Sequence, residues 1–358
     1  FLYETGALSQ VLVKEIEDFY RKSDDNFEFA YLLDSFEEER ANQLTIDTTQ
    51  AFCKMKTGRE ILFIDVPGHQ ELIKNMLCGS SYADIAILVV DVQKSIEQQT
   101  KRHAFILKLL GIEQIIIVLN KMDLVSFNEN IFKKVKEEII EFVKKLQLQP
   151  KCFIPISAKQ GDNLLKLSKK MSWYKGLSLN DALNACFKKE NNGVFRFPIQ
   201  DIYSINKEKV VVGKILSGEI KKGEKVTILP LNKECRVKAI RVFNRKCSMA
   251  KAPESIGLIL DDMNALKRGQ ILAKPKEPKV TRNILAKIFC VRPFNINESL
   301  RFKCLTQETT ARINQIIRIW DIASLEPKQN KGLLETTDFA EASIITENPM
   351  AIESFTGE

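Results

Sequence analysis

Histidine is scarce in this sequence, at two of 358 residues, and the eight cysteines stand singly at 53, 78, 152, 186, 235, 247, 290 and 304. No C-x-x-C pair occurs, so a zinc site is not expected. Scattered thiols of this kind fit a reduced, cytoplasmic protein. No apolar run approaches the roughly 18 residues that span a bilayer, so no membrane partner is expected. The opening Phe1-Leu2-Tyr3-Glu4-Thr5-Gly6 is neither a secretory leader nor a translation start, and the chain reads as a piece of a longer product. Also absent are a glycine-rich G-x-x-x-x-G-K-[ST] segment, an internal repeat and a low-complexity tract.

What is present is ordinary for a globular chain of two or three domains, with 44% hydrophobic and 28% charged residues. Lys and Arg number 54 against 46 Asp and Glu, a formal charge of +8. That excess permits an RNA partner, and solvated lysine-rich faces produce it equally well.

Short apolar runs alternate with helical patterns in the first half. Ile61 to Val66, Ile85 to Val92, Ile115 to Leu119 and Cys152 to Ile156 read as buried strands. Phe132, Val135, Ile139, Phe142, Val143 and Leu146 fall on one helical face. The alternation predicts a mostly parallel sheet covered on both faces, with binding loops at the strand C-termini. After about residue 190 helical periodicity largely disappears. Phe195 to Tyr203, Lys209 to Leu216, Lys225 to Leu229, Arg236 to Val242, Ile256 to Leu260 and Gln270 to Leu272 read as strands of a small antiparallel barrel. Lys274 to Pro278 reads as a linker to a second all-β stretch. The expected divisions are 1–190, 191–275 and 280–358.

Four constellations carry chemistry. Asn120-Lys121-Met122-Asp123 follows the apolar Ile115-Ile116-Ile117-Val118-Leu119. An Asp there accepts two hydrogen bonds from guanine N1 and N2, which adenine does not offer. Lys121 lays its stem along the base plane, and Asn120 ties the loop to its neighbours. Ser157-Ala158-Lys159 follows the next apolar strand, where a backbone N–H can donate to guanine O6. Asp65-Val66-Pro67-Gly68-His69 ends another strand. There Asp65 reaches a nucleotide-bound Mg²⁺, Gly68 lets the backbone approach a γ-phosphate, and His69 stands where a catalytic residue orients the attacking water. Thr45, in Leu44-Thr45-Ile46-Asp47, is a switch threonine able to ligate Mg²⁺, or else part of an edge strand. His103 reads as a surface helix position, and Trp173-Tyr174-Lys175-Gly176 as a packed, aromatic-anchored turn.

Taken together, Asp65 to His69, Asn120 to Asp123 and Ser157 to Lys159 resemble the translation-factor class of GTPases, the elongation factor Tu superfamily. The likeness continues through Phe197 to Asp201 and Gly213 to Gly218, which resemble its second domain. Phe289, Thr306 to Glu308 and Asn348 to Met350 resemble its third. The resemblance implies an α/β P-loop GTPase domain followed by two antiparallel β-barrels, with GTP and Mg²⁺ as cofactors. Leu32 to Asp34, Thr100 to His103, Trp173 to Gly176, Leu260 to Asp262 and Arg268 to Leu272 are most similar to the large GTPase subunit of sulfate adenylyltransferase. That implies a catalytic small subunit as partner in a heterodimer. The alternative is an elongation factor, with aminoacyl-tRNA and the ribosome as partners. Three departures stand out. The family's phosphate loop would lie just before Phe1, Gln43 stands where the family usually has Gly, and the chain stops short of the family's closing strand. Without the N–H nest of that loop, the chain as written is expected to show little GTPase activity.

Overall fold

A computed structural model describes residues 1–7, 49–66, 76, 79–80, 83–186, 193–205, 208–242, 245–264, 266–274, 278–321, 326–329, 332–336 and 338–354. Among the sequence-derived candidates, Thr45, Pro67, Gly68 and His69 lie outside the described residues. The chain divides into two compact units, the first running from Phe1 to Lys188 and the second taking most of the chain from Lys189 onward.

The first unit opens with a short helix, α1 (Leu2–Thr5), then β1 (Thr49–Lys54) and β2 (Glu60–Asp65). A three-stranded parallel sheet follows, built from β3 (Ala86–Asp91), β4 (Ile115–Asn120) and β5 (Cys152–Pro155) in that order. β4 is central, and Ile116, Ile117 and Leu119 are fully buried. Parallel neighbours need crossovers, and α2 (Gln98–Leu109) and α3 (Glu129–Lys145) supply them. In α3 the buried residues are Phe132, Val135, Ile139 and Val143, three or four apart on one stripe. Burying four such side chains contributes roughly 6–12 kcal/mol before chain entropy is counted. The Asn128 side chain caps the helix by accepting from the Asn130 and Ile131 N–H groups at 2.8 and 3.3 Å. Lys144 and Lys145 close it against the helix dipole.

One strand differs from the sequence expectation. The run from Ile61 reads in sequence as a strand of the parallel sheet, but β2 forms an antiparallel hairpin with β1, pairing Thr49 with Asp65 and Lys54 with Glu60. The reason is the connection. Met55 to Arg59 is a tight turn, with Gly58 at φ +83° and Met55 N–H donating to Arg59 O at 2.7 Å. Such a link cannot make the long crossover that parallel pairing requires. From this turn Arg59 donates Nη1 to the carbonyls of Leu183, Asn184 and Cys186, closing the C-terminal end of α4 (Leu179–Ala185).

The second unit begins with β6 (Arg196–Ile205), β7 (Glu208–Lys214), β8 (Glu219–Lys221), β9 (Lys225–Leu229), β10 (Lys233–Val242), β11 (Arg245–Cys247), β12 (Met249–Lys251), β13 (Ser255–Leu260) and β14 (Ile271–Ala273). The sheet order is β11-β10-β13-β7-β6-β14-β9, and a further β10–β9 pairing closes it into a barrel. Phe195 and Phe197 stack inside it with ring centroids 6.2 Å apart. Gly213 of β7 lies so close to β6 that a Cβ there would sit 2.3 Å from the Pro198 carbonyl oxygen. The six strands expected from sequence match β6, β7, β9, β10, β13 and β14, with ends that shift by a few residues. The three-residue strands β8, β11 and β12 are additional.

A β-rich region follows, in which β15 (Lys279–Phe289), β16 (Leu300–Cys304), β17 (Gln307–Asp321) and β18 (Asp338–Ile352) form a sheet in the order β15-β18-β17-β16. Gln307 extends this ladder with its side chain: Nε2 donates to Ala351 O at 3.0 Å and Oε1 accepts from Ala351 N–H at 2.9 Å. Ala351 in turn packs with Leu229, Ile271 and Ala273 of the preceding barrel. No helix among the described residues is long and apolar enough to cross a membrane.

Candidate functional site

Open α/β sheets bind ligands at the carboxyl ends of their strands. Here β3, β4 and β5 end together, with Asp91 the register partner of Asn120 and Leu119 that of Pro155. The side chain of Asn120 joins two loops: its Oδ1 accepts from the Lys121 N–H at 2.8 Å and from the Ala158 N–H at 3.0 Å. The stretches 120–123 and 157–159 therefore meet at one edge.

Lys121 takes a left-handed conformation at φ +67°, which turns the chain out of the strand. Its ammonium lies 2.9 Å from Asp91 Oδ2, and Asp91 Oδ1 accepts from the Gln93 N–H at 2.9 Å. Burial pushes the Asp91 carboxyl up, but the Lys121 hydrogen bond, the Gln93 N–H and the charges of Lys121 and Lys94 together hold it below the usual carboxylate range. Met122 points the other way. Its side chain is fully buried and its N–H donates to Ile156 O at 3.1 Å, so it anchors the loop from below.

Asp123 then starts a short 3₁₀ turn, Met122–Val125. Its carboxylate takes no partner among the described residues, while Ser126 N–H donates to its carbonyl at 3.2 Å. In the facing turn Ser157 is fully buried; its N–H donates to Asp162 O at 3.3 Å and its Oγ accepts from the Gln160 N–H at 3.3 Å. With the Ala158 N–H committed to Asn120, the Lys159 N–H is the donor of this turn without a partner among the described residues. The two joined loops thus carry the Asp123 carboxylate and the Lys159 N–H, each without a partner among the described residues. That arrangement matches the donor and acceptor edge of a purine carrying N1–H, N2–H₂ and O6. Asp65 and Val66 stand half-buried at the end of β2. A half-buried carboxylate at a strand end is an oxygen ligand of the type Mg²⁺ takes.

Sequence reading passed over Asp91. The signal was available in an aspartate ending the apolar strand next to the one that carries Asn120.

The sheet and the paired loops define an α/β nucleotide-binding domain of the GTPase class. Comparison with known proteins points the same way. The family model described as "Elongation factor Tu GTP binding domain" matches residues 5–188, and "Elongation factor Tu domain 2" matches residues 208–273. Elongation factor 1-alpha of Methanoculleus marisnigri is 33% identical over 367 residues, taking in 98% of this chain and 86% of its own length. Sulfate adenylyltransferase subunit 1 of Bacteroides fragilis is 36% identical over 308 residues, taking in 84% of this chain and 64% of its own length. Elongation factor 1-alpha of Thermoplasma volcanium is 34% identical over 374 residues, with 98% and 86% covered. The chain belongs to the elongation factor Tu family of GTP-binding proteins, with a GTP-binding domain followed by the family's second domain and a further β-rich region.

Proposed function

We propose that this chain carries the guanine-reading edge, at the ends of β4 and β5, of the GTP-hydrolysing subunit of a sulfate adenylyltransferase. In that role GTP hydrolysis is coupled to the transfer of an adenylyl group from ATP to sulfate on a catalytic small subunit, giving adenosine 5′-phosphosulfate and pyrophosphate. The observation that supports the nucleotide is the Asn120 bridge, which joins the loop carrying the Asp123 carboxylate to the turn carrying the Lys159 N–H. Asp123 accepts from guanine N1 and N2, the Lys159 N–H donates to O6, and the Lys121 stem covers the base. Against adenine the Asp123 carboxylate stays unpaired, a penalty of about 1–3 kcal/mol, or roughly 5- to 140-fold in affinity. Asp65 and Thr45 would hold Mg²⁺, which when bound would neutralise phosphate charge. His69 orients the attacking water. In this division, residues 1–190 form the nucleotide domain, 191–275 the second domain and 280–358 the third.

The 36% identity to the Bacteroides subunit supports the sulfate reading, together with the stretches around Thr100 to His103 and Trp173 to Gly176. A second reading is an elongation factor that delivers aminoacyl-tRNA. Coverage favours it, since the match takes in 86% of the Methanoculleus protein against 64% of the Bacteroides one. The deciding experiment co-expresses the chain, joined at its N-terminus to a G-x-x-x-x-G-K-[ST] segment, with an adenylyltransferase small subunit and follows pyrophosphate release from ATP and sulfate with and without GTP. Co-purification and GTP stimulation are expected. No stimulation, alongside GTP-dependent retention of aminoacyl-tRNA, would overturn the first reading in favour of the second.

A further inference from the structure

Residues 157–174 run as a strap from one base-reading loop back to the other. Asp162 pairs its backbone with Ser157 in both directions, at 3.3 and 3.1 Å. Its carboxylate accepts from Ser168 Oγ at 2.6 Å and ion-pairs with Lys170 Nζ at 3.1 Å. The same ammonium stands 5.1 Å from the centre of the Phe127 ring, close enough for a cation–π contact. Three residues on, Trp173 Nε1 donates to the Phe127 carbonyl at 2.9 Å, and its ring lies 5.3 Å from that of Phe132 in α3. Tyr174 donates its hydroxyl to Phe153 O on β5 at 3.1 Å.

Phe127 is the point at which this strap grips the guanine-reading loop. Ser126 and Phe127 are both left-handed, at φ +52° and +56°, a conformation that bulky side chains enter only when neighbours hold them there. Phe127 N–H donates to Met122 O at 2.8 Å and Ser126 N–H to Asp123 O at 3.2 Å. A shift of Phe127 is therefore passed on to Asp123.

We infer that Trp173 and Lys170 are positioning residues for base recognition: by holding the Phe127 carbonyl and ring, they set the separation of Asp123 from the 157–159 turn. The inference rests on the guanine-nucleotide reading. The competing account is that the Trp173 ring only fills space beside Phe132.

Trp173→Phe keeps an aromatic ring beside Phe132 and removes the N–H, and with Phe132→Leu as the packing control it separates the two accounts. GDP, IDP and ADP are titrated calorimetrically against the full chain. IDP lacks the 2-amino group, so a displaced Asp123 costs GDP one hydrogen bond more than it costs IDP. Trp173→Phe is expected to lower the GDP-over-IDP preference roughly fivefold. Amide exchange of residues 122–128, read without any nucleotide, is expected to speed up roughly tenfold. Lys170→Met should act in the same direction with a smaller effect. Phe132→Leu thins the packing but leaves the Phe127 carbonyl bonded; it should lower the melting temperature and leave the GDP/IDP ratio unchanged. An unchanged ratio and unchanged exchange in Trp173→Phe would overturn the inference. If the wild-type chain binds neither GDP nor IDP, the nucleotide reading fails on its own, and the exchange rates still decide whether Trp173 positions the loop.

Discussion

Replacing Asn120 with Ala removes the side chain that, among the described residues, bonds the 120–123 loop directly to the 157–159 turn. Its Oδ1 accepts from Lys121 N–H at 2.8 Å and Ala158 N–H at 3.0 Å, and alanine leaves both donors to water. A net intramolecular hydrogen bond contributes about 0.5–1.5 kcal/mol, so the pair is worth about 2 kcal/mol. If the base needs the joined arrangement, GDP affinity falls by about 30-fold, at about 1.4 kcal/mol per factor of ten. The unliganded first unit should lose a similar free energy in urea unfolding. Asn120→Asp keeps the acceptor while adding a carboxylate beside its register partner Asp91, so its defect should shrink in high salt. Calorimetric titration with GDP, paired with urea denaturation, measures both quantities. The reasoning is refuted if Asn120→Ala binds GDP within about threefold of wild type and unfolds at the same urea concentration, because each bond would then be worth less than the lower end of its range.

Two further outcomes follow from packing and charge. Gly213→Ala places a Cβ 2.3 Å from the Pro198 carbonyl oxygen and 3.0 Å from Phe197 Cζ, so strand β7 must move away from β6. Thermal unfolding of the second unit should show a loss of about 3 kcal/mol, and a neutral result would contradict the close approach. The Tyr174 hydroxyl is pushed up to about 12, chiefly by burial, with Cys152 adding to the shift and the Leu177 carbonyl opposing it. The unfolded phenol ionises near 10 and the folded one later. Stability should therefore hold steady below pH 10 and fall between pH 10 and about 12. The fall should be about 1–2 kcal/mol after allowing for the group's partial exposure. Tyr174→Phe should flatten that decline, and absorbance at the phenolate band tracks it.

The parallel strands were legible because burial on both faces demands continuous apolar runs, as in Ile115-Ile116-Ile117-Val118-Leu119. β1 was not, since Thr49-Gln50-Ala51-Phe52-Cys53-Lys54 puts an exposed Phe52 beside a buried Cys53, a pattern that hides which face is inside. β8, β11 and β12 are three residues each, too short for any period to register. At the site, Asn120 to Asp123 and Ser157 to Lys159 could be located from the strands before them. Asp91 and Trp173 act through partners 30 and 46 residues away, and such contacts depend on strand order and turn geometry that no local pattern encodes.

Asp91 and Asn120 face each other because β3 and β4 pair residue for residue from Ala86 and Ile115 onward. The Lys121 anchor is thus set by counting along the backbone, and this limits how the chain can change length over time. One residue gained or lost between Ala86 and Asp91 would turn the carboxylate to the opposite face of the sheet and bring a valine beside Asn120. Gln93 to Glu97 has no ladder pairing, so lengthening it leaves the anchor in place. Insertions in relatives should accumulate after Asp91 and stop abruptly before it.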